Sequence, residues 1–249
     1  MVATRAVPTN VYIGTSGYNY KDWKGKFYPD KLAQKNWLQF YSENFPILEV
    51  NATFYRFFPK KVFENWQDKT PQNFKFVIKG PRMITHMKKL VDIDEPLENF
   101  WESIQGLGDK LAIILWQFPA GFKKDPHNSN KLEDFFKMLP TDIHQAIELR
   151  DNSWFDQSTI TLLEKYHISF VINDTPSFDT AEIVTGPLIY IRFHGPQGLY
   201  ASSYSDKQLQ VWSEKIKNFS KTKEVYCFFN NDVSGYAIEN ARKLREFII

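Results

Sequence analysis

A single cysteine, Cys227, stands among 249 residues, so no disulfide closes within the chain and a fold held by bridges is excluded. The longest unbroken apolar run, LAIILW at 111–116, falls far short of the roughly 20 residues a membrane-crossing helix requires. The opening stretch MVATRAVPTN lacks the apolar core of a secretory signal. A reducing, cytoplasmic setting with no membrane partner is the expectation. There are five histidines, none paired at helical spacing, and no thiolate pair, which is a poor supply of metal ligands. A net charge of +2 is too small to mark a nucleic-acid binder by itself. No stretch is of low complexity and no Gly, Ser or Pro-rich linker divides the chain. One domain over 1–249 is expected, with 1–10 as a loose N-terminal tail.

What is present is a series of eight short apolar runs: 11–18 (VYIGTSGY), 47–54 (ILEVNATF), 74–80 (FKFVIKG), 111–118 (LAIILWQF), 145–150 (QAIELR), 169–174 (SFVIND), 188–195 (LIYIRFHG) and 224–232 (EVYCFFNND). Their lengths and their β-branched and aromatic content suit strands buried on both faces. Helices are expected at about 30–44, 60–68, 95–106, 128–139, 153–166, 205–219 and 234–247. The sixth connection, TPSFDTAEIVTGP, has room for at most a turn of helix. Strand and helix alternating eight times in this length is the pattern of an α/β fold of the TIM-barrel type, a single (β/α)8 barrel with a degenerate sixth helix.

Such a barrel carries its chemistry at the C-terminal ends of its strands. Those ends hold Glu49, Asn51, Lys79, Gln117, Glu148, Arg150, Asp174, Arg192, His194, Asn230 and Asp232. Side chains two apart on a strand share a face, so Glu49 with Asn51, Glu148 with Arg150, and Arg192 with His194 would each enter the mouth together. Charges buried there must be paired or completed by a ligand. One reading is an ion-pair network plugging the barrel. The other is a site in which Lys79, Arg150 and Arg192 hold an anion while Glu49, Glu148 and His194 move protons. Three cations at one mouth would repel a divalent ion, so neither a metal nor another cofactor is expected. His86 sits on the long connection just behind Lys79. Cys227 is out of step with Phe228 and Asn230 and is expected against a helix as a small hydrophobe.

Three connections, 17–30, 80–95 and 119–128, are longer than joining requires. Residues 17–30, 55–61, 80–95 and 119–130 hold eleven Lys or Arg against six Asp or Glu, interleaved with Tyr18, Tyr20, Trp23, Phe27, Tyr28, Tyr55 and Phe122. Basic and aromatic residues together are what single-stranded nucleic acids are bound by; solvated lysines over packed aromatics have the same composition.

The strings IGTSGYNYKDWKGKFYP, EVNATFYRFFP, FKFVIKGPRMITH, LWQFPAGF, IELRDNSW, YIRFHG and YCFFNNDVSGYAIENARKL, in this order along nearly the whole chain, resemble domain-of-unknown-function family 72, the YecE-like proteins. The resemblance implies a TIM barrel distantly akin to those of sugar isomerases and endonuclease IV, with a polar pocket at the strand ends. Tyr55, Trp154 and Asn231 lie in these strings and join Asn51, Lys79, His86, Gln117, Arg150, Asp174, Arg192, Asn230 and Asp232 as candidate ligand-binding residues. Two departures stand out. Tyr18 takes the place of a tryptophan common in the family, and the histidine-rich ligand set of endonuclease IV has no match here. Two functions follow from the sequence. One is an enzyme using acid-base catalysis on a phosphorylated or carboxylated small molecule. The other is a nucleic-acid-binding protein, up to an endonuclease IV-like phosphodiesterase.

Overall fold

The computed structural model describes residues 8, 10–178, 180–198 and 200–249. The expected loose tail at 1–10 therefore lies outside the described residues, apart from Pro8 and Asn10. The Asn10 side chain donates to the carbonyl of Ser220 at 2.6 Å.

The eight runs form β1 (Val11–Ser16), β2 (Ile47–Val50), β3 (Lys75–Lys79), β4 (Leu111–Gln117), β5 (His144–Glu148), β6 (Ile168–Asp174), β7 (Leu188–Phe193) and β8 (Glu224–Phe229). They are parallel and hydrogen-bonded in sequence order, and β8 returns to β1 to close the barrel, with Tyr12 opposite Tyr226. Around them lie α1 (Trp37–Asn44), α2 (Ala52–Tyr55), α3 (Lys60–Asp68), α4 (Asp94–Ile104), α5 (Pro126–Lys137), α6 (Gln157–Lys165), α7 (Asp206–Phe219) and α8 (Tyr236–Ile248). None of these helices is long and apolar enough to cross a membrane.

Local chemistry sets many of the boundaries. Asp125, Asp156 and Ser205 accept from backbone N–H groups three residues ahead and so start α5, α6 and α7, supplying donors that the first turn leaves unpaired. The helix expected from 30 begins only at Trp37, because most of residues 30–36 are exposed and give a helix no face to bury. The run at 47–54 is half strand and half α2. Between β6 and β7 no helix occurs among the described residues. There Thr185 Oγ1 accepts from the backbone N–H of Phe170 and donates to the carbonyl of Ile168, so the connection runs along β6 in the place of a helix.

Two apolar layers result. Alternate strand residues point outward to the helices, among them Leu48, Ile78, Trp116, Ile147, Ile191, Cys227 and Phe229. Ile47, Val77, Ile113, Leu115, Ala146, Val171, Leu188, Tyr190, Tyr226 and Phe228 fill the interior. At Gly14 the interior has no room for a side chain, since a Cβ there would lie 2.3 Å from the carbonyl oxygen of Ile47 on the neighbouring strand. Gly14→Ala should cost about 1–3 kcal/mol through forced separation of β1 and β2, read as a lower midpoint in chemical denaturation. An unchanged midpoint would show that the two strands separate freely.

Candidate functional site

The inward alternation that fills the barrel continues upward into polar residues. Ile47 is followed by Glu49, Val77 by Lys79, Leu115 by Gln117, Ala146 by Glu148, Tyr190 by Arg192, and Phe228 by Asn230. The period of two thus delivers an apolar floor and a charged layer above it.

Arg192 lies at the centre and is 1% exposed. Its Nε and Nη2 donate to Glu49 Oε2 and Oε1 at 3.0 and 2.7 Å, and its Nη1 donates to Glu148 Oε2 at 2.6 Å. The other oxygen of Glu148 accepts from Arg150 Nε at 2.5 Å, and Glu49 Oε2 accepts a further bond from the Tyr190 hydroxyl at 2.6 Å. Burial works against the charge on Arg192, but Glu49 and Glu148 outweigh it and lift its pKa well above the ordinary value. Burial likewise opposes ionisation of Glu148, while Arg150 and Arg192 together hold its carboxyl well below the usual range. Two guanidinium groups and two carboxylates make a neutral quartet, which makes their removal from water tolerable.

Lys79 is the charge left over. It is 7% exposed, forms no ion pair with a carboxylate among the described residues, and holds its Nζ 4.1 Å from the centre of the Phe54 ring. Burial, then the charge of Arg192, lower its pKa to about 7. His86 stands edge-on to the same ring at 4.9 Å, on a single π-helical turn, Met83–Met87, a local form frequent at functional sites. Its Nδ1 is paired with Thr85 Oγ1 at 2.8 Å. Burial and the charge of Lys79 bring its pKa down to about 4, so the ring is neutral at pH 7.

The β1, β2 and β8 side of the mouth presents acceptors. Ser16 Oγ, Asn51 Oδ1 and Asp232 Oδ1 are shielded from solvent with no partner among the described residues. Burial raises Asp232 to about 8, with Tyr20 opposing and Glu49 reinforcing the shift. It therefore holds its proton to a higher pH than an ordinary carboxyl does.

Several candidates are placed otherwise than the strand-end argument implied. His194 is in the cluster, but both ring nitrogens are occupied: Nε2 donates to Asn173 Oδ1 at 3.0 Å and Nδ1 accepts from Asn230 Nδ2 at 3.2 Å. Burial and Arg192 keep its pKa well below the ordinary value. Asp174 does not reach the axis. It accepts from the indole N–H of Trp212 on α7, and Asn173 takes the inward position two residues beyond Val171. Trp154 is fully buried and donates to the carbonyl of Phe122 at 2.6 Å, pinning a loop. Asn231 donates to Ser202 O and Asn240 Oδ1, tying the end of β8 to the loop before α7 and to α8. Tyr55 is 65% exposed at the rim. Asn173, Tyr190, Ser16 and Phe54 were not anticipated; strict counting by two from the apolar floor finds Asn173 and Tyr190.

The aromatic half of the basic-aromatic loops is largely packed away. Trp23, Phe27, Tyr28 and Phe122 are buried, with Tyr28 stacked on Trp37 at 4.5 Å and Phe122 on Trp154 at 5.4 Å. Two large surface cavities lie elsewhere. One of about 810 Å³ runs beside α4 and is lined by Phe57, Met83 and Glu95 among others. Another of about 630 Å³ lies at the opposite end of the barrel, beside His144 and Lys223. Neither collects the perturbed ionisable groups that meet at the mouth. No group of three or more His, Cys, Asp or Glu side chains is placed to share a metal ion among the described residues.

Fold and mouth together define an α/β barrel protein of the TIM type with a charged interior crown. The chain belongs to the family described as "Protein of unknown function DUF72", which matches residues 12–248. It is 28% identical over 270 residues to UPF0759 protein YunF of Bacillus subtilis, covering 96% of this chain and 94% of that one. With UPF0759 protein YecE of Escherichia coli K12 it shares 23% over 261 residues, covering 95% and 92%. A crystal structure of a DUF72 family protein from Thermotoga maritima superposes with a TM-score of 0.85 at 33% identity, covering 95% of this chain and 98% of that one.

Two outcomes follow. Arg192→Ala should destabilise the protein by about 3–5 kcal/mol, because it leaves Glu49 and Glu148 buried without their shared partner; a loss under about 1 kcal/mol in urea denaturation would contradict the quartet. Lys79→Met should be no less stable than the parent at pH 7. The folded pKa of Lys79 lies below its unfolded value, so its burial penalty is fully present below about pH 7 and is relieved as pH rises toward 10.5. The parent should therefore gain stability relative to Lys79→Met across that window, and parallel stability curves for the two proteins would refute the assignment.

Proposed function

We propose that the chain is an enzyme acting by acid-base catalysis on a small phosphorylated or carboxylated molecule held at the C-terminal mouth of the barrel. The observation that carries this reading is the charge balance. Glu49, Arg192, Glu148 and Arg150 neutralise one another, and the proton on Lys79 has no counterion among them. An anion arriving at Lys79 supplies that counterion. Arg150 adds a second contact: its Nε is used by Glu148, its side chain is 18% exposed, and its guanidinium carbon lies 4.7 Å from the centre of the Phe178 ring. Its remaining nitrogens suit a two-pronged grip on a carboxylate or phosphate.

In this reading Arg192 sets the floor and the anion meets Lys79 and Arg150. Glu49 and Glu148, saturated by guanidinium bonds, act mainly by holding those cations. Proton transfer falls to groups whose pKa values lie near neutrality, Lys79 at about 7 and Asp232 at about 8, as efficient general catalysis requires. The two asparagines hold the His194 ring in one tautomer, which fixes the polar wall between β6 and β8. The burial of Trp23, Phe27, Tyr28 and Phe122 leaves few rings for bases to stack on, which favours a small molecule over a nucleic-acid strand.

Sulfate, whose charge is constant between pH 6 and 8, is the simplest probe. Its affinity should rise as pH falls through about 7, where Lys79 gains its proton. Lys79→Met should abolish that pH dependence, and Arg150→Ala should weaken binding about tenfold or more, the loss of one charge-assisted contact. Calorimetric titration showing no sulfate binding, or binding unaffected by either substitution, would rule out an anion site here.

A further inference from the structure

We infer that Lys79 is a nucleophile, condensing with the carbonyl group of an aldehyde or ketone that also carries a carboxylate or phosphate, and so forming an imine at the barrel mouth. The inference rests on the anion-binding reading above and adds to it the reactive group of the substrate.

Two buried lysines in this chain make the comparison. Lys110 is 5% exposed, and its Nζ donates to the carbonyls of Gln67 and Thr70 and to Thr70 Oγ1 at 2.5, 2.7 and 3.2 Å. All three ammonium protons are taken, as a structural lysine demands. Lys79 is buried to a similar degree, yet its Nζ meets no hydrogen-bond acceptor among the described residues and rests against the face of Phe54. An ammonium at a residue this deeply placed, with no acceptor among the described residues, is poorly compensated, whereas a neutral amine is tolerated there. The groups bearing on it agree. Arg192 and Arg150 disfavour its proton, Glu148 and Glu49 favour it but are already engaged by the guanidinium groups, and the neighbouring His86 ring is neutral. Desolvation and adjacent cations are the two ways a lysine is made nucleophilic near neutral pH.

Its placement suits attack on a bound carbonyl. Lys79 ends β3, and its backbone carbonyl accepts from Thr53 Oγ1 at 2.7 Å, so the stem starts from a fixed point. The amine rests on the Phe54 ring, against whose face or edge His86 also stands, while Arg150, just past β5, can hold the substrate's anionic end. In the reaction the nitrogen lone pair adds to the carbonyl carbon. The C–O π pair moves to oxygen, and one amine proton passes to that oxygen to give the carbinolamine. The hydroxyl then leaves with the remaining nitrogen-bound proton as water, and the C=N bond forms. No oxidant or reductant is consumed.

The test uses glyoxylate, an aldehyde bearing a carboxylate, and propionaldehyde, which has none. Each is incubated with the whole chain at pH 7 with sodium cyanoborohydride, whose hydride reduces an imine to a stable secondary amine, and the adducts are located by peptide mass spectrometry. Glyoxylate should label Lys79 about tenfold or more above exposed lysines such as Lys61, because far more of an amine with a pKa near 7 is unprotonated at that pH. Lys79→Arg should lose this labelling, whereas Lys61→Arg, a change at an exposed surface position, should leave the labelling of Lys79, sulfate binding and the thermal midpoint unchanged. If Lys79 is labelled no more than Lys61 while pH-dependent sulfate binding persists, the imine is wrong and the anion site stands. If propionaldehyde labels Lys79 as strongly as glyoxylate, the nucleophile stands and the anionic requirement falls.

Discussion

The grip of Arg192 on Glu49 and Glu148 is the interaction on which the top of this barrel depends. One guanidinium bridges carboxylates from β2 and β5, strands that approach each other only because the sheet closes. The bridge draws Arg150 into the same balance through Glu148. In the low-dielectric interior a complete set of this kind is tolerable, and one member removed leaves an uncompensated charge. Neutrality of the crown therefore depends on closure of the barrel.

The same balance decides which groups remain for chemistry. A network plugging the barrel and a ligand site were alternative readings of the strand ends, and in the function proposed here they fall to different residues. The four members of the quartet, with Tyr190 beneath, account for the plug. Lys79, the outer nitrogens of Arg150 and the oxygens Ser16 Oγ, Asn51 Oδ1 and Asp232 Oδ1, which have no partner among the described residues, lie outside that accounting. Burial shifts the proton affinities of Lys79 and Asp232 toward neutrality from opposite directions, with Arg192 adding to the shift of Lys79 and Glu49 to that of Asp232.

The fold was legible in the sequence because buried parallel strands leave dense apolar runs, and all eight runs became strands in the expected order. Proline and glycine in the sixth connection correctly marked its lack of a helix. Composition was less informative where two structures share it. Run 47–54 reads as one apolar stretch although its second half turns into α2, and residues 30–36 have helix-forming side chains but only Leu32 to pack against the core. At the site, spacing by two identified the charged layer but not its pairing. Which carboxylate meets which guanidinium depends on barrel closure, a long-range property absent from any local window. Asp174 attracted attention as a charged strand terminus, whereas the phase set by Val171 turns it outward and brings Asn173 in. The basic loops likewise do not reveal whether their aromatic rings face water or the core.

Below the crown, the Tyr190 ring lies 5.1 Å from that of Phe228, and Tyr12 stacks on Tyr226 at 4.8 Å. With the branched residues around them these rings close the lower barrel, and the Tyr190 hydroxyl points up into the charged layer. The interior is thus packed with side chains below the charged layer. With that packing beneath it, Lys79 is closed off from the lower barrel, so a ligand, water or proton exchanging with its amine would do so on the side of the loops that follow the strands.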